Sequence, residues 1–204
     1  MRVESISIAD FYSNPDDVRK FILTQPFDLI GNYPGYRTES FLDPGTKQTI
    51  QEFIRPFAGE VTWWGDGASG AFQYTTASDR SWLHADQTDW AGVLYLTPDA
   101  PLSAGTGLFR NKETKRRNWD RKDPNEEPLS EYSADYYDMT KWELVDKLGN
   151  LYNRLVIYRG DLYHMSLDYF GRDLQTGRLF QTFFFNTERS EEHTSELQSR
   201  ETIS

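Results

Sequence analysis

The sequence contains no cysteine. That excludes a disulfide framework, a cysteine-type zinc site and an iron–sulfur cluster. Positive charge is also in short supply. Twenty-two Lys and Arg against 32 Asp and Glu give a formal charge of -10, which argues against a general nucleic-acid binder held by phosphate contacts. No stretch approaches the ~18 uninterrupted apolar residues of a membrane span. The opening, MRVESISIADFYSNPDD, lacks a basic region followed by an apolar run, so no signal peptide is expected. With cysteine absent as well, the expected location is cytoplasmic. Neither general nucleic-acid binding nor a membrane is expected.

Histidine is scarce too, with three in 204 residues. That length suits one domain with a real core. Aromatics make up 15% of the chain, which favours strands with bulky interiors. SNPDDVRKFILTQ reads as a helix start, capped by Ser13 or Asn14, with Pro15 in the first turn and Val18, Phe21 and Ile22 on one face. DPGTKQTIQEFIRPF predicts a second helix over roughly 44–55, with Ile50, Phe53 and Ile54 as its stripe and Pro56 as its stop. Beyond Val61 the pattern changes to short strands: VTWW, AFQYTT, SWLHAD, AGVLYLTP, TGLFR, NRLVIYRGDLYHMSL and GRLFQTFFFN. In the last of these, Leu179, Phe183 and Phe185 fall on one face and Arg178, Phe180, Thr182 and Phe184 on the other. Both faces are rich in apolar residues, as in a strand between two layers.

Residues 111–150 interrupt the strands with a basic run, an acidic run and MTKWELVDKL, which predicts a short helix. The segment is too long for a hairpin loop and reads as an insertion or lid. The end of the chain changes character abruptly: RSEEHTSELQS, residues 189–199, resembles a translated sequencing-library adapter. The expected organisation is one domain over 1–188 and an artefactual, disordered tail over 189–204. Helices first and many short strands after them predict an all-β core with flanking helices. The architecture expected is a double-stranded β-helix, or jelly roll, with the N-terminal helices packed on one sheet.

The chemistry centres on SWLHADQTDWAGVLYLTP, residues 81–98. His84 and Asp86 are two apart, and on a strand such residues share a face. With the tail set aside, His164 is the one other histidine. Two imidazoles and a carboxylate on one face are the donor set of the facial triad in non-haem Fe(II) oxygenases. They also suit zinc with an open position for water, hence a hydrolase. A satisfied core histidine in a non-catalytic binding module is the third reading. Arg178 opens an otherwise apolar strand, where a guanidinium is costly without an anion to pair with. Trp82, Trp90 and the basic run KETKRRNWDRK are candidates for the substrate side. Trp119 and Trp142 either close over a ligand or anchor the insertion.

Taken together, FQYTTASDRSWLHAD, GVLYLTP, GTGLFRN, NRLVIYRGDLYHMS and GRLFQTFFFN resemble, in order, the Fe(II)/2-oxoglutarate-dependent dioxygenases of the prolyl-hydroxylase-like branch. The resemblance implies a hydroxylase that uses Fe(II) and O2, with 2-oxoglutarate as cosubstrate, and releases succinate and carbon dioxide. It implies His84, Asp86 and His164 as the iron ligands, Arg178 and Tyr95 on the distal carboxylate of 2-oxoglutarate, and Tyr74 beside the cosubstrate. Leu94, Phe180 and Phe184 would wall the cavity against water. The chain departs from the family pattern at Ala77, where a Gly is common, and in the length of 111–150. Those departures leave the substrate open among an amino acid, a peptidyl residue and a small metabolite.

Overall fold

A computed structural model describes residues 2–120 and 137–188. The tail 189–204 and much of the acidic half of the insertion lie outside the described residues. The elements in chain order are β1 (Ser5–Ile8), α1 (Pro15–Ile22), β2 (Tyr36–Ser40), α2 (Pro44–Ala58), β3 (Val61–Trp64), β4 (Ala71–Thr75), β5 (Trp90–Tyr95), β6 (Thr106–Asn111), β7 (Trp142–Leu148), β8 (Leu155–Arg159), β9 (His164–Ser166) and β10 (Arg178–Thr187). They form a mostly β structure with two α-helices.

Asp43 starts α2 by accepting from the Gly45 and Thr46 amides, which satisfies amides that the first turn cannot pair. Pro56 does not stop this helix, contrary to the sequence expectation. It sits in the last turn, where it forfeits only the bond to the carbonyl of the exposed Glu52, and the helix runs on to Ala58. Gly59 then ends it with a φ of 80°, its amide bonded back to Arg55 O. Two of the expected stripe residues, Ile50 and Ile54, are buried, while Phe53 is exposed. In α1, Ile22 is buried, and Phe21 stays exposed with its ring edge-on to Phe41.

Two antiparallel sheets result. The larger runs β1-β8-β5-β10-β4-β2, with β3 also on β10, and the smaller runs β7-β6-β9. β10 lies in the middle of the larger sheet, which explains its two apolar faces. Leu179, Phe183 and Phe185 join Phe72, Trp90, Leu94 and the helix residues Ile22, Ile50 and Ile54 in one apolar cluster. Phe180 and Phe184 join Val93, Tyr95, Val156 and Tyr158, together with Leu108 and Leu148 of the smaller sheet, in a second cluster between the sheets. Leu94 is therefore on the helix side and not a wall of the inter-sheet space.

Two expected elements change. SWLHAD is not a strand: within 81–89 only an isolated bridge, His84 to His164, remains. MTKWELVDKL is not a helix but a 3-10 turn, Met139–Lys141, followed by β7, which pairs antiparallel with β6. Only the two ends of this edge strand, Trp142 and Leu148, are buried, so its apolar residues show no strand alternation. The segment expected as an insertion is thus partly a strand of the smaller sheet. Trp142 is buried against Tyr163, and Trp119 packs on the same cluster, so both anchor the segment.

Candidate metal and cosubstrate site

The site forms on the face of the larger sheet that looks toward the smaller one. His84 and His164 exchange both backbone hydrogen bonds, at 3.0 and 2.8 Å. In a hydrogen-bonded antiparallel pair the two side chains leave on the same side, and here the ring centroids are 4.3 Å apart. Asp86 is brought in separately, by its amide donating to Gly160 O at 2.7 Å. Gly160 is required for that approach: a Cβ there would lie 2.2 Å from Thr88 O and 3.2 Å from Asp86 Cβ. The ligand atoms of His84, Asp86 and His164 all lie within 4.8 Å of one another.

The backbone also fixes the imidazole tautomers. His84 Nδ1 lies 3.1 Å from Trp82 O, and His164 Nδ1 lies 2.7 Å from Leu162 O. A carbonyl only accepts, so each Nδ1 carries the proton and each Nε2 keeps its lone pair. Those Nε2 atoms lie 3.9 and 3.4 Å from the Asp86 carboxylate. Two lone pairs facing an anion form a donor set for a cation, and the bonds at Nδ1 orient it as metal-bound imidazoles are usually oriented. The His84 side chain keeps 34% of its surface accessible. Desolvation nevertheless leads in lowering its pKa, and the neighbouring His164 adds to this. Against the pull of Asp86, they push it down to about 4. His84 is therefore neutral, and able to bind metal, at physiological pH.

Further along the same face lies Arg178, completely buried. Its Nε donates to Ala104 O at 2.9 Å. Its Nη1 and Nη2 have no hydrogen-bond partner among the described residues, and neither does the buried Oγ1 of Thr75. Thr75 is directly opposite Arg178 in the β4–β10 register. Three buried polar atoms on adjacent strands are thus left without a hydrogen bond among the described residues, and such burial is costly. A carboxylate fits them: it accepts from two guanidinium nitrogens at once and from a hydroxyl. Tyr95 is beside this group, its ring 5.3 Å from the guanidinium carbon and its hydroxyl 2.9 Å from Thr106 Oγ1.

Not every expected site residue reaches this face. Tyr74 points to the opposite one: it pairs with Leu179, stacks on Tyr36 and meets Phe27 edge-on in the helix-side cluster. Trp90, 2% exposed, is a member of that same helix-side cluster. Both are corrected to packing residues. Trp82 is half-buried beside His84, and its carbonyl holds the ring. Thr75 and Tyr158 are among the site-face residues that the sequence reading missed. The ring of Tyr158 is 4.7 Å from that of His164, and burial raises the Tyr158 pKa well above the usual value, with Asp86 contributing. The signal for Thr75 was available: in FQYT the polar residues alternate with the aromatic ones.

With this geometry in view, the fold is shared with several proteins of known structure. HygX from Streptomyces hygroscopicus, solved with nickel, 2-oxoglutarate and hygromycin B bound, superimposes with a TM-score of 0.61 at 10% identity, over 90% of this chain and 83% of that one. The iron-bound form of HygX gives 0.53 at 10% identity, over 90% and 82%. A prolyl hydroxylase from Trichoplax adhaerens, in complex with a peptide of the hypoxia inducible factor oxygen degradation domain, gives 0.51 at 11% identity, over 90% and 84%. No curated protein matches the chain by sequence. The chain belongs to the DUF6445 family, described as a family of unknown function, whose profile matches residues 2–185. Among the described residues no helix is long and apolar enough to cross a membrane.

Proposed function

We propose that the chain is an Fe(II)- and 2-oxoglutarate-dependent oxygenase that hydroxylates a C–H bond of its substrate. The reading rests above all on one juxtaposition. A two-His, one-carboxylate donor set with its tautomers fixed shares a sheet face with a buried guanidinium that lacks an anion. The fold supports it, since HygX, which has the same fold, has been solved holding iron and, separately, nickel with 2-oxoglutarate. On this reading residues 1–188 are one domain, the two sheets make up a double-stranded β-helix, and the N-terminal helices pack on its larger sheet.

His84 Nε2, His164 Nε2 and the Asp86 carboxylate would hold the iron. Bound there with 2-oxoglutarate and O2, iron supplies the oxidising power for hydroxylation, with succinate and carbon dioxide as coproducts. The protein's part is positioning. Arg178 and Thr75 bind the distal carboxylate of the cosubstrate, and Ala104 O keeps the guanidinium in place. Tyr95 closes the pocket beside it. Val93, Val156, Phe180 and Leu108 make the walls apolar, which excludes water and strengthens each polar contact inside. Because the cosubstrate and iron carry the chemistry, no protein nucleophile is needed.

The test is anaerobic addition of Fe(II) and 2-oxoglutarate to the purified protein. A visible iron-to-oxoglutarate charge-transfer band is expected, and succinate once air is admitted, with both lost in Asp86→Ala. Tightly bound zinc with no band would point to a hydrolase instead, and neither metal nor band to a binding module.

A further inference from the structure

A second guanidinium lies on the site face, and the proposed chemistry leaves it unused. Arg37 is on β2, directly opposite Gln73 of β4, which is directly opposite Phe180 of β10. That register puts Arg37 on the same side of the sheet as Phe180, Arg178 and Tyr95. The chain turns into β2 at Gly35, where φ is 74° and a Cβ would lie 2.0 Å from Tyr74 O. Only glycine allows the two backbones to come that close.

Arg37 is held in place. Its guanidinium carbon lies 3.7 Å from the centre of the Tyr33 ring. Its Nε and Nη2 both donate to Gln73 Oε1, at 3.1 and 2.6 Å. Gln73 is fixed in turn by Nε2 donating to Pro34 O at 2.6 Å. This neutral amide occupies one edge of the guanidinium and orients it without cancelling its charge. The other edge, Nη1 with the second hydrogen of Nη2, has no hydrogen bond to the described residues, and no described carboxylate forms an ion pair with Arg37. Desolvation lowers the Arg37 pKa to about 10, while the charge of Asp86 acts on it in the opposite sense. Arg37 is thus charged at neutral pH and within electrostatic reach of Asp86.

We propose that Arg37, positioned by Tyr33 and Gln73, binds a carboxylate of the substrate, so that the substrate is a free carboxylic acid, of which an amino acid is the simplest case, and not an internal residue of a peptide. The inference rests on the oxygenase reading. Arg178 is assigned to the cosubstrate there, which leaves Arg37 as the anion site for the substrate. A guanidinium edge with two parallel donors matches a carboxylate in a way that an internal peptide group, which has no anion, does not.

The experiment measures succinate release by the iron-loaded full chain with the common L-amino acids and simple aliphatic and aromatic monocarboxylates, each beside its uncharged carboxamide. At least one acid is expected to stimulate release well above its amide. For that acid, Arg37→Gln should raise KM about 10- to 100-fold, as for loss of a charge-assisted hydrogen bond, and Arg37→Lys should recover part of the loss. The 2-oxoglutarate concentration that half-saturates the charge-transfer band should stay within about twofold of wild type in both variants. Amides or end-blocked peptides acting as well as the acids would overturn the proposal, as would a panel in which no acid acts. An Arg37→Gln effect confined to 2-oxoglutarate binding would also overturn it. Absence of the band in the wild-type protein would instead refute the oxygenase reading.

Discussion

Replacing Arg178 with Met should move cosubstrate affinity and apoprotein stability in ways that a structural arginine cannot. Arg178 is completely buried, and its internal hydrogen bond is Nε to Ala104 O. Losing that bond costs about 1 kcal/mol. The acceptor is not orphaned, because Asn150 Nδ2 also donates to Ala104 O, at 3.1 Å. Against this loss, the substitution removes a buried charge and two unpaired donors, each costing about 1–3 kcal/mol, and Met fills much of the space with flexible apolar atoms. Metal-free Arg178→Met should therefore unfold at a urea midpoint equal to or above that of the wild type. Binding should change in the opposite direction. Truncating one partner of a buried charged pair costs about 2–5 kcal/mol, or roughly 30- to 4,000-fold in the 2-oxoglutarate concentration needed to half-saturate the charge-transfer band. Unchanged half-saturation would refute the carboxylate assignment. Strong destabilisation of the metal-free protein with little change in half-saturation would show that Arg178 is part of the scaffold.

Thr75→Val, which removes the hydroxyl opposite Arg178 at nearly constant volume, should raise the same half-saturation by roughly 10- to 150-fold, the worth of one hydrogen bond to a charged acceptor. Tyr74→Phe, on the other face of β4, should leave it unchanged. Gly160→Ala forces a Cβ to within 2.2 Å of Thr88 O, so the segment carrying Asp86 must move. A loss of about 1–3 kcal/mol in urea unfolding is expected, together with weaker Fe(II) binding in an anaerobic titration. The metal-free protein should lose stability as pH falls from about 6.5 toward 4. The pKa of His84 is depressed to about 4 in the folded chain, so in that window the unfolded state takes up the proton and the folded state does not. His84→Asn should flatten that part of a urea-midpoint profile against pH, and an unaltered profile would contradict the assigned cause.

The larger sheet was legible in the sequence because burial from two sides leaves a plain mark. GRLFQTFFFN has apolar residues at both parities and a single Arg, and β10 does lie between a helix-side cluster and an inter-sheet cluster. β7 was misread because it is an edge strand. Its Leu144 and Val145 are exposed neighbours in sequence, so neither the strand period nor the helix period is clean. The helix boundary at Pro56 was misjudged because a proline near the end forfeits a single i→i−4 bond, here to the exposed Glu52, while the residues after it still bond back into the helix.

The site shows where reasoning from spacing holds and where it fails. His84 and Asp86 were expected to share a face because they are two apart on a strand, yet 81–89 is not a strand. They converge because two different partners hold them, His164 for one and Gly160 for the other. The same irregular stretch explains Tyr74. The resemblance transfers a position for Tyr74 relative to His84 across 76–83, where the alternation of a strand is not maintained. Within β4 the alternation is intact, and it is set by β10: Arg178 faces Thr75, and Leu179 faces Tyr74. The face of a strand residue is fixed by the partner across the ladder, not by its distance along the chain from a motif. Read from Arg178, β4 would have offered Thr75 and Gln73 to the cavity from the outset, and Gln73 leads directly to Arg37.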